Sequence, residues 1–172
     1  MDFYLLLLRV IHILGGAFWA GSAFMLTGFV APAIGQAGPE GGKFMQRLVL
    51  GTRFVTVTAT AAGLTVLTGL LMYLRKSGGL SNFNLDWAST GEGIAFTIGG
   101  LTGITALIMG ALTGSTSRKL AELGASLEGP PSPEQAAEVA GLQNRLSNLG
   151  ATTSILLIVA LIAMATAQYV FF

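Results

Sequence analysis

The sequence predicts an all-α fold: a polytopic membrane protein built as a four-transmembrane-helix bundle, with a helical hairpin extending from helices three and four. Composition is the first reason, because 52% of the 172 residues are hydrophobic and only 10% are charged, whereas a soluble domain usually carries about 25% charged residues. The mean hydropathy of +0.71 agrees. The second reason is that four apolar runs are each long enough to cross a bilayer of about 30 Å. We expect residues 1–172 to form a single integral membrane domain.

The first apolar run covers residues 4–30 and contains two ionisable side chains, Arg9 and His12. We expect this helix to end at Pro32, because a proline ring blocks helix continuation. Asp2, the lack of an N-terminal basic cluster and the length of the run favour a retained span over a cleaved signal peptide.

The second and third runs cover residues 54–74 and 93–113. The second ends at a basic, glycine-containing segment, Arg-Lys-Ser-Gly-Gly at 75–79. Ser-Thr-Gly-Glu precedes the third, and there we expect Ser89 to cap the helix while Glu92 reaches back to it, which is the capping-box pattern.

The fourth helix is predicted to begin at Ser132, with Pro133 in its first turn and Gln135 completing a capping box. Its apolar part covers residues 149–171. The intervening residues 115–147 are polar and favour helix, so we predict two extensions that project beyond the bilayer as an extramembrane hairpin. The connection between them is Glu-Gly-Pro-Pro at 128–131.

The distribution of basic residues predicts the orientation. Six of the nine Lys and Arg residues lie in the first and third loops, and three lie toward the other side. The side richer in Lys and Arg is expected to be cytoplasmic, which places both termini on the outer face of the inner (cytoplasmic) membrane. The six are Lys43, Arg47, Arg53, Arg118, Lys119 and Arg145, and the three are Arg9, Arg75 and Lys76.

Small residues are expected to form the contacts between spans, because helices in lipid associate through close packing and not through a hydrophobic force. The chain has 24 glycines, many of them inside the spans. The predicted packing positions are Gly16 and Ala20 in the first span, Ala59, Gly63 and Gly69 in the second, and Gly99, Gly103, Ala106 and Gly110 in the third.

Composition also excludes several functions. The chain has no cysteine, which removes disulfides, thiolate metal sites and cysteine nucleophiles. The net charge of +1 gives no basis for binding nucleic acid. One histidine and no carboxylate within the spans leave a hydrolytic triad without partners, so no catalytic residue is predicted. The expected partners are the lipid bilayer and either other membrane subunits or a second copy of the chain.

The candidate cofactor site is a face of the first helix. Arg9, His12, Gly15, Gly16 and Trp19 lie three or four residues apart and therefore share one side of a helix. A neutral imidazole can ligate a metal or a haem iron, the two glycines would leave room for a flat macrocycle, and Trp19 could stack on its edge. The alternative is a histidine that hydrogen-bonds a threonine or a carbonyl on a neighbouring helix.

A second ligand for such a cofactor is not evident from the sequence, because His12 is the only histidine. A methionine within the spans or a histidine from another subunit would have to supply it, although methionines in a bundle usually fill gaps. The candidate methionines are Met25, Met72, Met109 and Met164.

The stretch Arg-Val-Ile-His-Ile-Leu-Gly-Gly-Ala-Phe-Trp-Ala-Gly-Ser-Ala-Phe at 9–24 resembles a superfamily of bacterial membrane proteins that includes copper-resistance protein D and the HemJ-type protoporphyrinogen oxidases. A group of four-helix members is similar in length. The first helix in this superfamily reads basic-x-x-His followed by Trp-x-Gly, matched here by Arg9, His12, Trp19 and Gly21. Thr-Gly at 68–69 matches a recurring pair near the end of the second helix. The resemblance covers residues 4–75.

The resemblance implies haem b or a related porphyrin at His12 in the HemJ-type branch, and a copper-associated role with His12 as metal ligand in the other. Three functional hypotheses follow. The protein is a redox or electron-transfer membrane protein with a haem-binding first helix, a non-catalytic accessory subunit of a larger membrane complex, or a copper-handling membrane protein.

Overall fold

In the computed structural model, residues 2–127 and 129–170 are described, and they contain helices and no strand. Four of the helical segments are long and apolar enough to cross a membrane, which confirms the all-α bundle and makes the chain a multi-pass membrane protein. Position 171, the predicted end of the fourth span, and Glu128, in the predicted hairpin connection, lie outside the described residues. The helices are α1 Phe3–Met25, α2 Ala31–Ala37, α3 Pro39–Leu50, α4 Phe54–Lys76, α5 Leu85–Ala88, α6 Gly91–Ala125 and α7 Pro133–Thr166.

The four long helices pack as two antiparallel pairs. Helix α1 lies along α4, and α6 lies along α7, while contacts of α4 with α6 and of α1 with α7 join the pairs. At one end of the bundle Asp2 pairs with Arg75 at 3.6 Å, and we call this the terminal end. At the other, which we call the hairpin end, the 35 residues of α6 and the 34 of α7 extend as the predicted hairpin. Lys119 and Glu138 link these extensions at 3.1 Å.

The first membrane helix does not end at Pro32, so that prediction is wrong. A π-helical turn, Leu26–Val30, follows α1 directly, and α2 continues the same helical segment to Ala37 with Pro32 in its first turn. Proline is tolerated in the first turn of a helix, where its missing N–H is not needed. The wider π-turn interrupts the regular ladder just where proline would otherwise clash with it.

The helix caps agree with the sequence at α7 and differ at α6. Ser132 and Gln135 form the predicted capping box. At α6 the cap is Thr90, whose Oγ1 accepts from the backbone N–H of Gly93 at 3.1 Å, and not Ser89. Glu92 does not reach back to the cap, because it pairs with Lys76 and accepts from the Trp87 indole.

Helix α3 was not predicted from the sequence, which shows only a basic loop there. Gly38 separates it from α2 and adopts a φ of 57°, a conformation that favours glycine. Helix α3 packs against α6 and buries Val49, while Lys43 and Arg47 on its other side are exposed. The first loop is therefore a helix that covers the hairpin end of the bundle.

Small residues form the centre of the bundle at some of the predicted positions. Trp19 and Ala20 of α1 meet Ala62, Ala106 and Leu157 in one buried cluster. A Cβ at Gly99 would lie 2.8 Å from the Met164 methyl carbon, which shows close helix packing there, whereas Gly63 and Gly103 have no atom within 4 Å of such a Cβ. Within one chain, only some of the predicted small residues therefore form close contacts between helices.

Candidate functional site

His12 lies in the seam between α1 and α4, half-buried, with its Nδ1 2.7 Å from the backbone oxygen of Thr65. A carbonyl oxygen can only accept, so Nδ1 carries the proton and donates. The same oxygen also accepts from the Thr68 hydroxyl at 3.1 Å. In a neutral imidazole the other nitrogen, Nε2, then keeps its lone pair.

Gly69 explains how the imidazole reaches the α4 backbone. A Cβ at this position would lie 2.7 Å from the Cε1 and 3.1 Å from the Nδ1 of His12, so any larger residue would displace the ring. Of the Thr-Gly pair at 68–69, Gly69 therefore contacts the His12 ring directly, whereas the Thr68 hydroxyl shares the Thr65 oxygen with it as acceptor.

The Nε2 atom makes no hydrogen bond with the described part of the chain and is not among its fully buried unpartnered atoms. Histidines that ligate metals almost always donate their other ring N–H to a carbonyl or carboxylate, which fixes the tautomer and the ring orientation. The alternative prediction, a hydrogen bond to a neighbouring helix, is thus confirmed, and it uses the nitrogen that a ligand histidine would not need.

The face formed by Gly15 and Gly16 is not open, which corrects the expectation that a flat macrocycle fits against it. A Cβ at Gly15 would lie 2.7 Å from the Thr65 hydroxyl oxygen and 3.2 Å from the backbone oxygen of Ala61. At Gly16 it would lie 3.3 Å from the Thr65 Cγ2. Both glycines therefore serve the close approach of α1 and α4.

Trp19 is 5% exposed and belongs to the central cluster of the bundle. A Cβ at Gly110 of α6 would lie 3.9 Å from its indole nitrogen, so the ring points across the bundle from α1. Trp19 is not placed to stack on a group held at the outer edge of the α1–α4 seam.

Arg9 is exposed one turn from His12, on the side of the terminal end. Seven residues separate it from Asp2, so it lies about 10 Å further along the helix axis. Asp2 pairs with Arg75, and within residues 2–127 and 129–170 Arg9 forms no ion pair. Its guanidinium is available to an anionic group at that depth.

No group of three or more His, Asp or Glu side chains that could hold a metal ion occurs among the described residues. Of the candidate methionines, Met72 follows Thr65 and Gly69 at offsets of seven and three on α4, so it shares the face that meets His12. Met164 packs on Gly99, and Met25 is exposed.

Two features of the bundle were not predicted. One is a cluster at the terminal end, in which Tyr73 bonds Thr97 at 2.8 Å and its ring meets Trp87 edge-on at a centroid distance of 5.4 Å. The other is a partly open cavity of about 400 Å³ near the hairpin end. Neither has a signal in the sequence, because the cluster joins residues of α4, α5 and α6 and five helices form the cavity wall.

Among known proteins, no family model, no curated protein and no solved structure matches this chain. Inference about its function therefore depends on its own residues and their geometry.

Proposed function

We propose that this multi-pass membrane protein binds haem b or a related porphyrin, with His12 as axial ligand through Nε2, and serves a redox or electron-transfer role. The observation that carries the proposal is the contact between Nδ1 and the Thr65 oxygen. It fixes the ring on α4, and the lone pair of Nε2 accepts from no donor among the described residues.

The geometry of the seam restricts where the porphyrin lies. Thr65 fills the space at Gly15 and Gly16, so a macrocycle would have to approach from the accessible edge of the α1–α4 seam. Arg9 then lies one turn toward the terminal end, where its guanidinium can pair with a propionate. The bound iron would supply one-electron chemistry, and the chain's part is to hold and orient it.

A second protein ligand for the iron would have two sources in this proposal. Met72 shares the α4 face with the glycine under the imidazole, and a second copy of the chain could bring its own His12. Substitution separates the two sources, because Met72→Ala should alter the reduced spectrum only in the first case, with the exposed Met25→Ala as the matched control.

The test is the absorption spectrum of protein purified from its native membrane, before and after dithionite. A Soret band with sharpened α and β bands on reduction is expected. His12→Ala should abolish the Soret band, and Arg9→Gln should weaken cofactor retention. A wild-type preparation without a porphyrin spectrum would remove the proposal.

The second candidate is a non-catalytic accessory subunit of a larger membrane complex. It is favoured by the completeness of the His12 contact, which joins α1 to α4 without any cofactor, and by the long α6–α7 hairpin. Under this candidate His12→Ala changes only stability, by about 0.6 to 1.7 kcal/mol for one interhelical hydrogen bond in a membrane. No feature of the described residues favours the copper-handling alternative over these two.

The proposed location is the inner membrane with both termini on its outer face. Helix α3 and the hairpin lie at the same end of the bundle, so Lys43, Arg47, Arg118 and Lys119 are gathered there. This concentration of positive charge supports a cytoplasmic hairpin end.

A further inference from the structure

The cavity near the hairpin end is large enough for a ligand. Its volume of about 400 Å³ falls within the range of about 300–1,000 Å³ that small-molecule sites occupy. Its wall on α6 extends from Leu107 to Arg118, which is about 16 Å of helix. The cavity is therefore elongated, and apolar residues such as Trp19, Ala62 and Val49 form most of its wall.

Two threonine hydroxyls in this wall have no hydrogen-bond partner. Thr58 of α4 and Thr153 of α7 both line the cavity, and the Oγ1 atom of each is buried and unpaired. Thr153 is only 4% exposed. A buried hydroxyl without a partner costs free energy, so a hydrogen-bond acceptor supplied at these two positions would be stabilising.

Other threonines of the bundle avoid that cost within their own helix. In eight of them the hydroxyl donates to the carbonyl four residues earlier. Thr113 is the closest comparison, because it lines the same cavity and donates to the backbone oxygen of Met109 at 2.9 Å. The unpaired state of Thr58 and Thr153 is thus a departure from the local rule, and it occurs in two helices that line one cavity.

A positively charged side chain, that of Arg118, lies at the hairpin end of the cavity. Arg118 contributes to the lining and forms no ion pair with any carboxylate of the described residues, whereas the adjacent Lys119 pairs with Glu138. Its guanidinium has the planar arrangement of donors that suits two oxygens of a phosphate.

The π-turn of the first membrane helix also belongs to this wall, through Leu26 and Thr27. Such turns are rare and frequently occur at functional sites, because they re-aim side chains within a helix. Met45 and Val49 of α3 line the cavity as well.

We propose that this cavity binds a single-chain anionic lipid, namely a phosphate monoester of an alcohol that carries one acyl chain. The chain lies along the apolar wall toward Trp19, and Arg118 pairs with the phosphate. Rotation about χ1 turns the buried hydroxyls of Thr58 and Thr153 toward the cavity, where they donate to the ester oxygens. The ligand's acyl chain, ester and phosphate thus meet an apolar wall, two hydroxyls that bond no other described residue, and the exposed guanidinium of Arg118.

The experiment measures binding to the full-length protein in nanodiscs of neutral lipid, with 1-acylglycerol 3-phosphate as the probe. Saturable binding of one molecule per chain is expected. The same acylglycerol without phosphate should bind at least about tenfold more weakly, and glycerol 3-phosphate without a chain should not bind measurably. Equal binding of the uncharged acylglycerol, or binding that does not saturate, would overturn the proposal.

Variants test the assigned contacts. Thr58→Val and Thr153→Val should each weaken binding about two- to tenfold, as expected for one lost hydrogen bond, and Arg118→Gln by about tenfold or more. Thr113→Val is the matched control and should bind as the wild type does, since its hydroxyl is already paired. Without ligand, Thr153→Val should unfold no more easily than the wild type, so weaker binding does not reflect misfolding. Wild-type affinity in both Thr153→Val and Arg118→Gln would refute the assignment.

This site is independent of the porphyrin proposal. His12→Ala should bind the probe with wild-type affinity, because His12 does not line the cavity. If the absorption spectrum shows no porphyrin, the lipid site is still tested by the binding experiment. If the probe does not bind, the porphyrin site is still tested by the spectrum.

Discussion

Replacing Gly69 by alanine should separate α1 from α4 at His12. The new Cβ would lie 2.7 Å from the imidazole Cε1, so the ring must shift and its hydrogen bond to the Thr65 oxygen is lost. Overpacking of this kind costs about 1–3 kcal/mol, and an interhelical hydrogen bond in a membrane contributes about 0.6 kcal/mol on average. Gly63→Ala is the matched control on the same helix, because its Cβ meets no atom within 4 Å.

The intrinsic helix preference of alanine over glycine, up to about 1 kcal/mol, applies equally to both variants and cancels in their comparison. Gly69→Ala should therefore be less stable than Gly63→Ala by about 2–3 kcal/mol, measured as the free energy of unfolding in mixed micelles during a titration with denaturing detergent. Removing the clashing ring should rescue much of this, so His12→Ala/Gly69→Ala should be no less stable than His12→Ala alone. Equal stability of the two glycine variants would refute the packing of His12 on Gly69.

Three further predictions concern the topology, the α6 cap and the hairpin. Because the chain has no cysteine, single replacements report the topology cleanly: in intact cells Leu80→Cys should react with an impermeant thiol reagent and Lys43→Cys should not, and the opposite pattern would invert the orientation. Thr90→Ala should lower the free energy of unfolding by about 1 kcal/mol through loss of the α6 cap, with Ser89→Ala as the control, and a larger effect at Ser89 would contradict the cap assignment. Deleting residues 120–144 should leave the four spans folded by circular dichroism but abolish co-purification of any partner subunit, so partners retained after the deletion would argue against docking through the hairpin.

The four spans and the fourth helix start could be predicted because they depend on local information. Length and apolar composition define a membrane helix in any protein, and Ser132 with Gln135 forms its capping box from side chains three residues apart. The start of α6 shows the limit of local reasoning. Thr90 and Ser89 are both suitable caps by residue type, and the structure uses Thr90. Glu92 does not complete a capping box, because it binds Lys76 and Trp87, which lie outside the Ser-Thr-Gly-Glu motif.

The end of the first helix could not be predicted from Pro32 alone. A proline forbids one backbone hydrogen bond, and the chain met this constraint with a π-turn instead of a break. The residues of the turn, Leu26–Val30, have no sequence pattern that predicts a π-turn. Its stability depends on the helices that surround it.

The candidate site was only partly accessible from the sequence. Helical spacing predicted one shared face for Arg9, His12, Gly15, Gly16 and Trp19, but it carried no information on which neighbour covers that face. His12 and the two glycines meet α4, whereas Trp19 enters the central cluster. Thr65 fills the space beside Gly15 and Gly16, and Gly69 receives the imidazole. Glycines within a membrane helix indicate close approach, and only the structure shows whether a helix or a cofactor approaches.

The most direct test of the central claim is the 15N spectrum of the protein purified from its native membrane with 15N-labelled histidine. His12 is the only histidine in the chain, so each ring nitrogen gives a single resonance. We expect Nδ1 to carry the proton, hydrogen-bonded to the Thr65 oxygen, and the Nε2 resonance to be shifted or broadened by a bound iron. A proton on Nε2, or an Nε2 with an unligated lone pair, would contradict this claim.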